Sequence, residues 1–290
     1  MMKPLTLLLS LFIAISSFAQ QEKLANSNLW KIEGNGLNTP SYLFGTMHFI
    51  CDATLEKKVN QALSVTDQLV LELDMDDPEM PAKMFSEMYM NDGKTLSDFI
   101  SADEFKAIDS LFINHMGMSV KMFQNIKPSL LSAMLFPKYF DCNPDSYEAV
   151  LMEMTKESNK DVLGLETVEE QMKVFDEIPY EEQVKSLVKL AQDGQAKDKA
   201  IINELQKVYK EENIEAMLKL FDDENYSMIQ DYNDIILDQR NKKWITKIIT
   251  FASEKPTFFG VGAGHLAGEK GVINLLRKEG YTVKAVLESE

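Results

Sequence analysis

An apolar run that ends in small residues and then a histidine occurs twice in this chain: Tyr42-Leu43-Phe44-Gly45-Thr46-Met47-His48 and Phe258-Phe259-Gly260-Val261-Gly262-Ala263-Gly264-His265. In each copy the histidine stands three residues after a glycine, Gly45 in the first and Gly262 in the second. The pattern predicts a buried strand that delivers a histidine at its carboxyl end, with glycine permitting a sharp turn or a close approach to the backbone. The chain has 3 histidines, and two of them occupy this context.

Around the first copy, Leu29 to Glu33 alternates apolar and polar residues and Ser41 to Phe44 is extended, with Gly34-Asn35-Gly36 between them; this predicts a hairpin ending at His48. Leu55, Val59 and Leu63 recur at helical spacing, and Gln68 to Asp74 reads as a strand closed by Glu72 and Asp74. Such a β-α-β unit brings His48 and Glu72 to one edge of two neighbouring strands. Lys160 to Glu166 is a further short strand ended by an acid. Around the second copy, a strand after Pro256, a helix over Val272, Leu275 and Leu276, and a strand from Tyr281 to Leu287 form another β-α-β unit. Between these units the sequence is helical. Capping boxes at Ser101-x-x-Glu104 and Thr167-x-x-Glu170 open two helices, and a third starts after Asp145 with Tyr147, Val150, Leu151 and Met154 facing inward. Pro179 and Gly194 are the main breaks in the later stretch. The expected fold is mixed α/β: a small mixed sheet from N- and C-terminal β-α-β units, with a large helical insertion at about 78–159 and 168–254, all in one domain over 20–290.

The first nineteen residues have a basic start at Lys3, an apolar run from Leu5 to Ile15 and a small-residue end at Ser17-Phe18-Ala19, the layout of a secretory signal peptide cleaved before Gln20. That run is too short for a typical membrane span, and no later stretch is long and uncharged enough to be one. The expected protein is therefore exported, to a periplasm or outside the cell, with no membrane span in its mature chain. The formal net charge of -16 becomes -17 once Lys3 is removed, since residues 1–19 contain no acid. So acidic a surface repels nucleic acid and anionic lipid, which argues against both as partners. Cys51 and Cys142 are the 2 cysteines, and in an exported chain they leave two alternatives open, a disulfide or two buried thiols.

Imidazole nitrogen and carboxylate oxygen are the usual ligands of zinc, manganese, iron or cobalt, and a site with open positions activates water. His48, His265, Glu72 and Glu166 all fall at expected strand ends, where sheet proteins gather their ligand sites. Each also has a bland reading: a hydrogen-bonded turn histidine, a strand-end acid facing water, an acid complementing the helix that starts behind Glu166. His115, beside neither glycine nor strand, is read as structural. Arg240-Asn241 lies on a long helix, either on a solvated face or near the site, where an arginine orients a carboxylate or stabilises developing negative charge. The methionines from Met75 to Met90 are core or a pliable binding wall. Gly260-x-Gly262-x-Gly264 has the wrong spacing and position for a dinucleotide turn, and the chain carries no G-x-S-x-G elbow, Walker loop or H-E-x-x-H helix.

Taken in order, Leu29-Trp30-Lys31-Ile32, the run to His48, Leu71-Glu72-Leu73-Asp74, Gly164-Leu165-Glu166-Thr167 with Glu170-Gln171, Arg240-Asn241, and Gly262-Ala263-Gly264-His265-Leu266 with Gly271-Val272 and Gly280-Tyr281 resemble the TraB/GumN family over nearly the whole mature chain. The paired glycine-x-x-histidine elements are similar to those of the Tiki metalloproteases and, more distantly, of erythromycin esterase and ChaN-like proteins. The resemblance implies an α/β core whose site is built from His48, His265, Glu72 and Glu166 with Arg240 and Asn241 nearby, and, for the Tiki branch, peptide hydrolysis dependent on a divalent ion. The leading expectation is an exported metal-dependent hydrolase, a peptidase acting on peptides or proteins. Its divalent ion, manganese, cobalt or zinc, would be held by His48, His265 and Glu72. Glu166 would act as base or further ligand, and Arg240 would orient an acid or hold a substrate carboxylate. Two alternatives stand beside it: a metal-independent His/Glu hydrolase of the esterase type, and a non-catalytic protein that binds a peptide or envelope component.

Overall fold

The computed structural model describes residues 23–193, 195–221 and 230–288; the expected signal segment and Gly194 lie outside them. Six strands form one sheet: β1 (Leu29–Glu33), β2 (Ser41–Thr46), β3 (Gln68–Leu71), β4 (Asp161–Gly164), β5 (Thr257–Gly262) and β6 (Thr282–Ala285). Their order is β4-β3-β5-β2-β1-β6. β2, β5, β3 and β4 run parallel, and β1 lies antiparallel between β2 and β6. This is the mixed α/β sheet expected from the sequence, with the hairpin β1–β2 in place.

One expectation is corrected. β2 and β3 are not neighbours, because β5 is inserted between them and pairs with both. The reason lies in its composition: Thr257 to Val261 is buried at every residue, and a strand with no solvated face and two satisfied edges belongs at the centre of a parallel sheet. The insertion makes the two histidine-bearing strands adjacent. Thr46 pairs with Gly262, so both strands end at one level and both histidines leave the same edge. The strands are also shorter than 68–74, 160–166 and 281–287. β4 stops where Thr167 caps the next helix, and only backbone bonds from Leu165 N to Leu71 O and Glu166 N to Glu72 O, both 2.9 Å, continue the ladder beyond it.

Alternation along the strands splits the core between two faces. Phe44, Leu69, Leu71 and Phe258 pack with Val59 of helix α1 (Lys57–Ser64), Leu151 of α5 (Tyr147–Ser158), Val208 of α8 (Gln195–Lys210) and Met217 of α9 (Ile214–Phe221). Leu43, Val70, Phe259 and Val261 pack on the other face with Trp244 and Ile248 of α10 (Gln239–Glu254) and Val272 and Leu276 of α11 (Val272–Lys278). The sheet is thus a filling between two helical layers.

A third cluster is wholly outside the sheet. Ile108 and Phe112 of α3 (Ala102–Met116), Leu131 and Leu135 of α4 (Pro128–Leu135), and Val184 and Leu187 of α7 (Tyr180–Asp193) are buried together. The capping boxes form as read, Ser101 with Glu104 before α3 and Thr167 with Glu170 before α6 (Val168–Asp176). Met80 and Met84 of α2 (Met80–Glu87) half-bury against Leu73, Val168 and Met172, so these two methionines of the stretch are packing material, while Met75 is exposed. Cys51 and Cys142 are joined in a disulfide that closes a separation of 91 residues. His115 packs near Tyr139, with ring centroids 5.9 Å apart. Among the described residues no helix is long and apolar enough to cross a membrane.

Candidate active site

Both histidine turns hang from the carboxyl edge of the central strands. After β5 the chain makes a short 3-10 turn, Ala263–His265, packed directly over Gly45. A Cβ on Gly45 would lie 2.7 Å from Leu266 Cδ1 and 3.1 Å from Ala263 Cα, so the glycine of the first copy makes room for the turn of the second. His265 is buried, whereas the His48 side chain is 60% exposed and opens into a cavity of about 510 Å3. Glu72, just past β3, reaches the same place from the far side of β5, and the Gly262 N–H donates to its Oε1 at 2.8 Å.

Arg240 ties the acids together from beneath. Its Nη2 donates to Glu72 Oε2 at 2.6 Å and to Glu166 Oε1 at 2.5 Å, and its Nε donates to both Glu166 oxygens at 3.1 and 3.2 Å. Nη1 donates to Ile236 O at 3.1 Å and to His265 Nε2 at 3.2 Å. That carbonyl belongs to a π-helical turn, Asp234–Asp238, whose irregular hydrogen bonding precedes α10. Asn241 fixes the histidine: its Nδ2 donates to the carbonyls of His265 and Lys270, which leaves Oδ1 to accept from His265 Nδ1 at 2.7 Å. An amide oxygen only accepts, so Nδ1 carries the proton and Nε2 presents its lone pair to the site.

The electrostatics follow from these contacts. Burial works against a charge on Glu72, but Arg240, the charged His48 ring and the Gly262 N–H outweigh it and hold the carboxyl down at about 2. Burial also pushes His265 down to about 3; Glu72 opposes this, while Arg240 and His48 add to it, so the ring is neutral. Burial opposes charge on His48 too, but its ring is largely open to solvent, and the Glu148 hydrogen bond and the charges of Glu148 and Glu72 raise it to about 9. The two histidines therefore differ in kind: one a neutral buried imidazole, the other a ring held by an acid.

His48, Glu72, Glu166, Arg240, Asn241 and His265 are thus brought together, as the sequence led us to expect, but they form two layers. His48, Glu72, Arg240 and His265 face the cavity. Glu166 stands behind Arg240, where its oxygens also accept from Trp244 Nε1 at 3.2 Å and Gln171 Nε2 at 3.0 Å. Asn241 stands behind His265. Sequence reasoning missed Glu148, whose Oε1 accepts from His48 Nδ1 at 2.9 Å and from Thr46 Oγ1 at 2.5 Å. The available signal was Ser146, which caps α5 and sets Glu148 in its first turn beside residues read as inward-facing. It also missed Trp244, whose ring lies 4.5 Å from that of His265 and 4.7 Å from the Arg240 guanidinium carbon.

The donor types fit a divalent cation: two imidazoles and a carboxylate. A Cβ placed on Gly262 would lie 3.3 Å from Glu72 Oε1, 3.5 Å from His265 Cδ2 and 4.0 Å from His48 Nε2, so the three side chains surround a space that only glycine leaves open. As they stand, no three His, Cys, Asp or Glu side chains among the described residues are spaced to chelate an ion. Arg240, bonded to His265 Nε2 and Glu72 Oε2, competes with a cation for two of the donors.

A mainly parallel sheet whose carboxyl edge brings two histidines and a buried acid to the floor of a cavity, beside an arginine from α10 with a second acid behind it, defines an α/β protein with a polar site at the end of its central strands. The chain belongs to the TraB/PrgY/gumN family, whose model matches residues 28–285. A stretch of 60 residues is 37% identical to a protein of Nematostella vectensis described as "Metalloprotease TIKI homolog", covering 20% of this chain and 13% of that protein. The chain thus matches about one eighth of that relative's length. No solved structure matches it.

Proposed function

We propose that this protein is an exported hydrolase that cleaves peptide bonds in peptides or proteins, using a divalent cation, manganese, cobalt or zinc, held by His48, His265 and Glu72. The observation that carries the reading is the convergence of these three side chains on the open side of Gly262, at the end of the cavity. The local likeness to a protein described as a metalloprotease homologue supports the reaction class. The Cys51–Cys142 disulfide supports an oxidising destination, in keeping with the signal-like residues 1–19. The acidic chain argues against nucleic acid as a partner.

When bound, the cation supplies a Lewis acid and lowers the pKa of water at the site. The chain's own residues do the rest. Asn241 keeps the proton on His265 Nδ1 so that Nε2 faces the site, and Glu148 does the same for His48. Gly262 N–H fixes Glu72 Oε1. Arg240, anchored by Glu166, places a fixed positive charge beside the cavity, where negative charge develops on a carbonyl oxygen under attack. Glu166 in this reading positions Arg240.

The contact between Arg240 Nη1 and His265 Nε2 favours a second reading, a metal-free hydrolase. There the neutral fraction of His48, which grows as the pH rises toward 9, accepts the proton of the attacking water at Nε2, and Glu148 on Nδ1 stabilises the resulting imidazolium.

The test is calorimetry and elemental analysis of residues 20–290 with manganese, cobalt and zinc, beside His48→Ala and His265→Ala, followed by a peptide-library digest with and without chelator. Stoichiometric binding lost in both variants, with chelator-sensitive cleavage, is the expected result. Cleavage that survives chelation but not His48→Ala would transfer the assignment to the metal-free reading. Saturable peptide binding without any product would leave only a binding protein.

A further inference from the structure

The cavity above the polar floor is almost entirely apolar. Phe49, Phe136, Leu190, Ile202, Leu205 and Met217 form much of its wall, and among the described residues no charged side chain lines it apart from the floor residues His48, Glu72, Arg240 and His265. These wall residues come from five separate parts of the chain: the segment after β2, the turn Phe136–Tyr139 after α4, and helices α7, α8 and α9. The first two are tied together. The Phe49 and Phe136 rings meet tilted with centroids 5.7 Å apart, Ile50 and Asp145 form a two-way backbone bridge, and the Cys51–Cys142 disulfide closes the same seam. These ties fix the Phe49–Phe136 side of the wall, so ordering that side on binding costs little.

We infer that this chamber selects the substrate by taking bulky apolar side chains on either side of the bond to be cleaved, an inference that rests on the peptidase reading. A volume of about 510 Å3 is larger than one side chain needs and lies within the range of about 300–1,000 Å3 typical of pockets for drug-sized molecules, enough for a short peptide segment with two large residues. Among the described residues its charged groups sit only at the floor, where a main-chain amide finds donors and an acceptor, and the side chains flanking that amide meet a wall that is apolar but for Ser132 and Tyr139. A charged side chain there would lose its hydration with no partner. The helical insertion, and not the sheet, thereby sets specificity.

The experiment uses peptides that differ only at the two residues flanking the scissile bond, carrying Gly, Ala, Leu, Phe or Glu. It reads kcat/KM for each, and also their displacement of the neutral dye Nile red from the protein. Leu and Phe are expected to exceed Gly and Glu by at least about tenfold in both readouts. Ala133→Trp, which fills the chamber from α4, should compress that ratio, with the thermal midpoint checked against the parent; Leu205→Asp should compress it from the α8 side. Equal kcat/KM across the series, or displacement indifferent to the flanking residues, overturns the inference. Selective displacement by Leu and Phe peptides without cleavage sustains the chamber's selectivity and sinks the peptidase reading instead. Displacement by long-chain acyl amides but by no peptide overturns the inference in favour of a lipid ligand.

Discussion

Glu148 grips His48 from behind: its Oε1 lies 2.9 Å from His48 Nδ1, across 100 residues of sequence, and turns the opposite ring nitrogen toward the cavity. The carboxylate is itself buried, its Oε2 without a hydrogen-bond partner among the described residues, so the pair with His48 and the Thr46 hydroxyl carries its charge. His265 has no such acid on its Nδ1, only the neutral amide of Asn241. The two copies of one sequence motif are therefore supported differently, and their chemistry differs accordingly.

Glu148→Gln should lower the His48 pKa from about 9 toward its ordinary 6.5, because the anion that favours the imidazolium is gone. With three histidines in the chain, proton NMR of the ring signals resolves the shift, measured with chelator present. An unmoved His48 titration would mean that Glu148 does not set its charge.

Arg240→Met should cost about 3–5 kcal/mol of stability, since it leaves Glu72 and Glu166 buried without their shared counter-ion. Denaturant unfolding at neutral pH measures this. The loss should shrink toward acid pH as one carboxylate takes up a proton, and a cost under about 1 kcal/mol would place the charges in solvent rather than in the core.

Acid stability follows from Glu72. Its folded pKa of about 2 lies below the ordinary 4.5, so the folded state binds its proton more weakly than the unfolded one. Its contribution is fully present above about pH 5 and is lost as the pH falls through about 2; Glu72→Gln should flatten that limb of the stability curve. His48 acts in the opposite sense. With its pKa raised from 6.5 to about 9, its contribution is present below pH 6.5 and fades as the pH rises through 9, so His48→Ala should flatten the alkaline limb in metal-free protein.

Gly262→Ala probes the cradle itself. The backbone there, φ -50° and ψ 133°, suits any residue, so the change is felt mainly through its Cβ, 3.3 Å from Glu72 Oε1. Cation affinity measured by calorimetry should fall by about 10–100-fold while stability changes by under about 1 kcal/mol. Equal affinity in the two proteins would move the cation elsewhere.

Much of this site was legible before any coordinates. Apolar runs followed by a glycine and a histidine mark buried strands with a histidine at the exit, and acids at the ends of Leu71-Glu72 and Leu165-Glu166 mark the same edge, because both patterns are local. The capping boxes at Ser101 and Thr167 formed for the same reason: four consecutive residues contain the whole interaction. The sequence by itself thus determined the strands, the starts of α3, α5 and α6, and the residues that meet at the candidate site. Tertiary structure alone decided that β5 enters between β2 and β3, that Glu166 stands behind Arg240 instead of facing the cavity, that Glu148 and not another acid holds His48, and that Cys51 meets Cys142. Each of these is a pairing between distant segments, fixed by which buried faces and charges satisfy one another once the sheet has assembled, and local spacing carries no record of it.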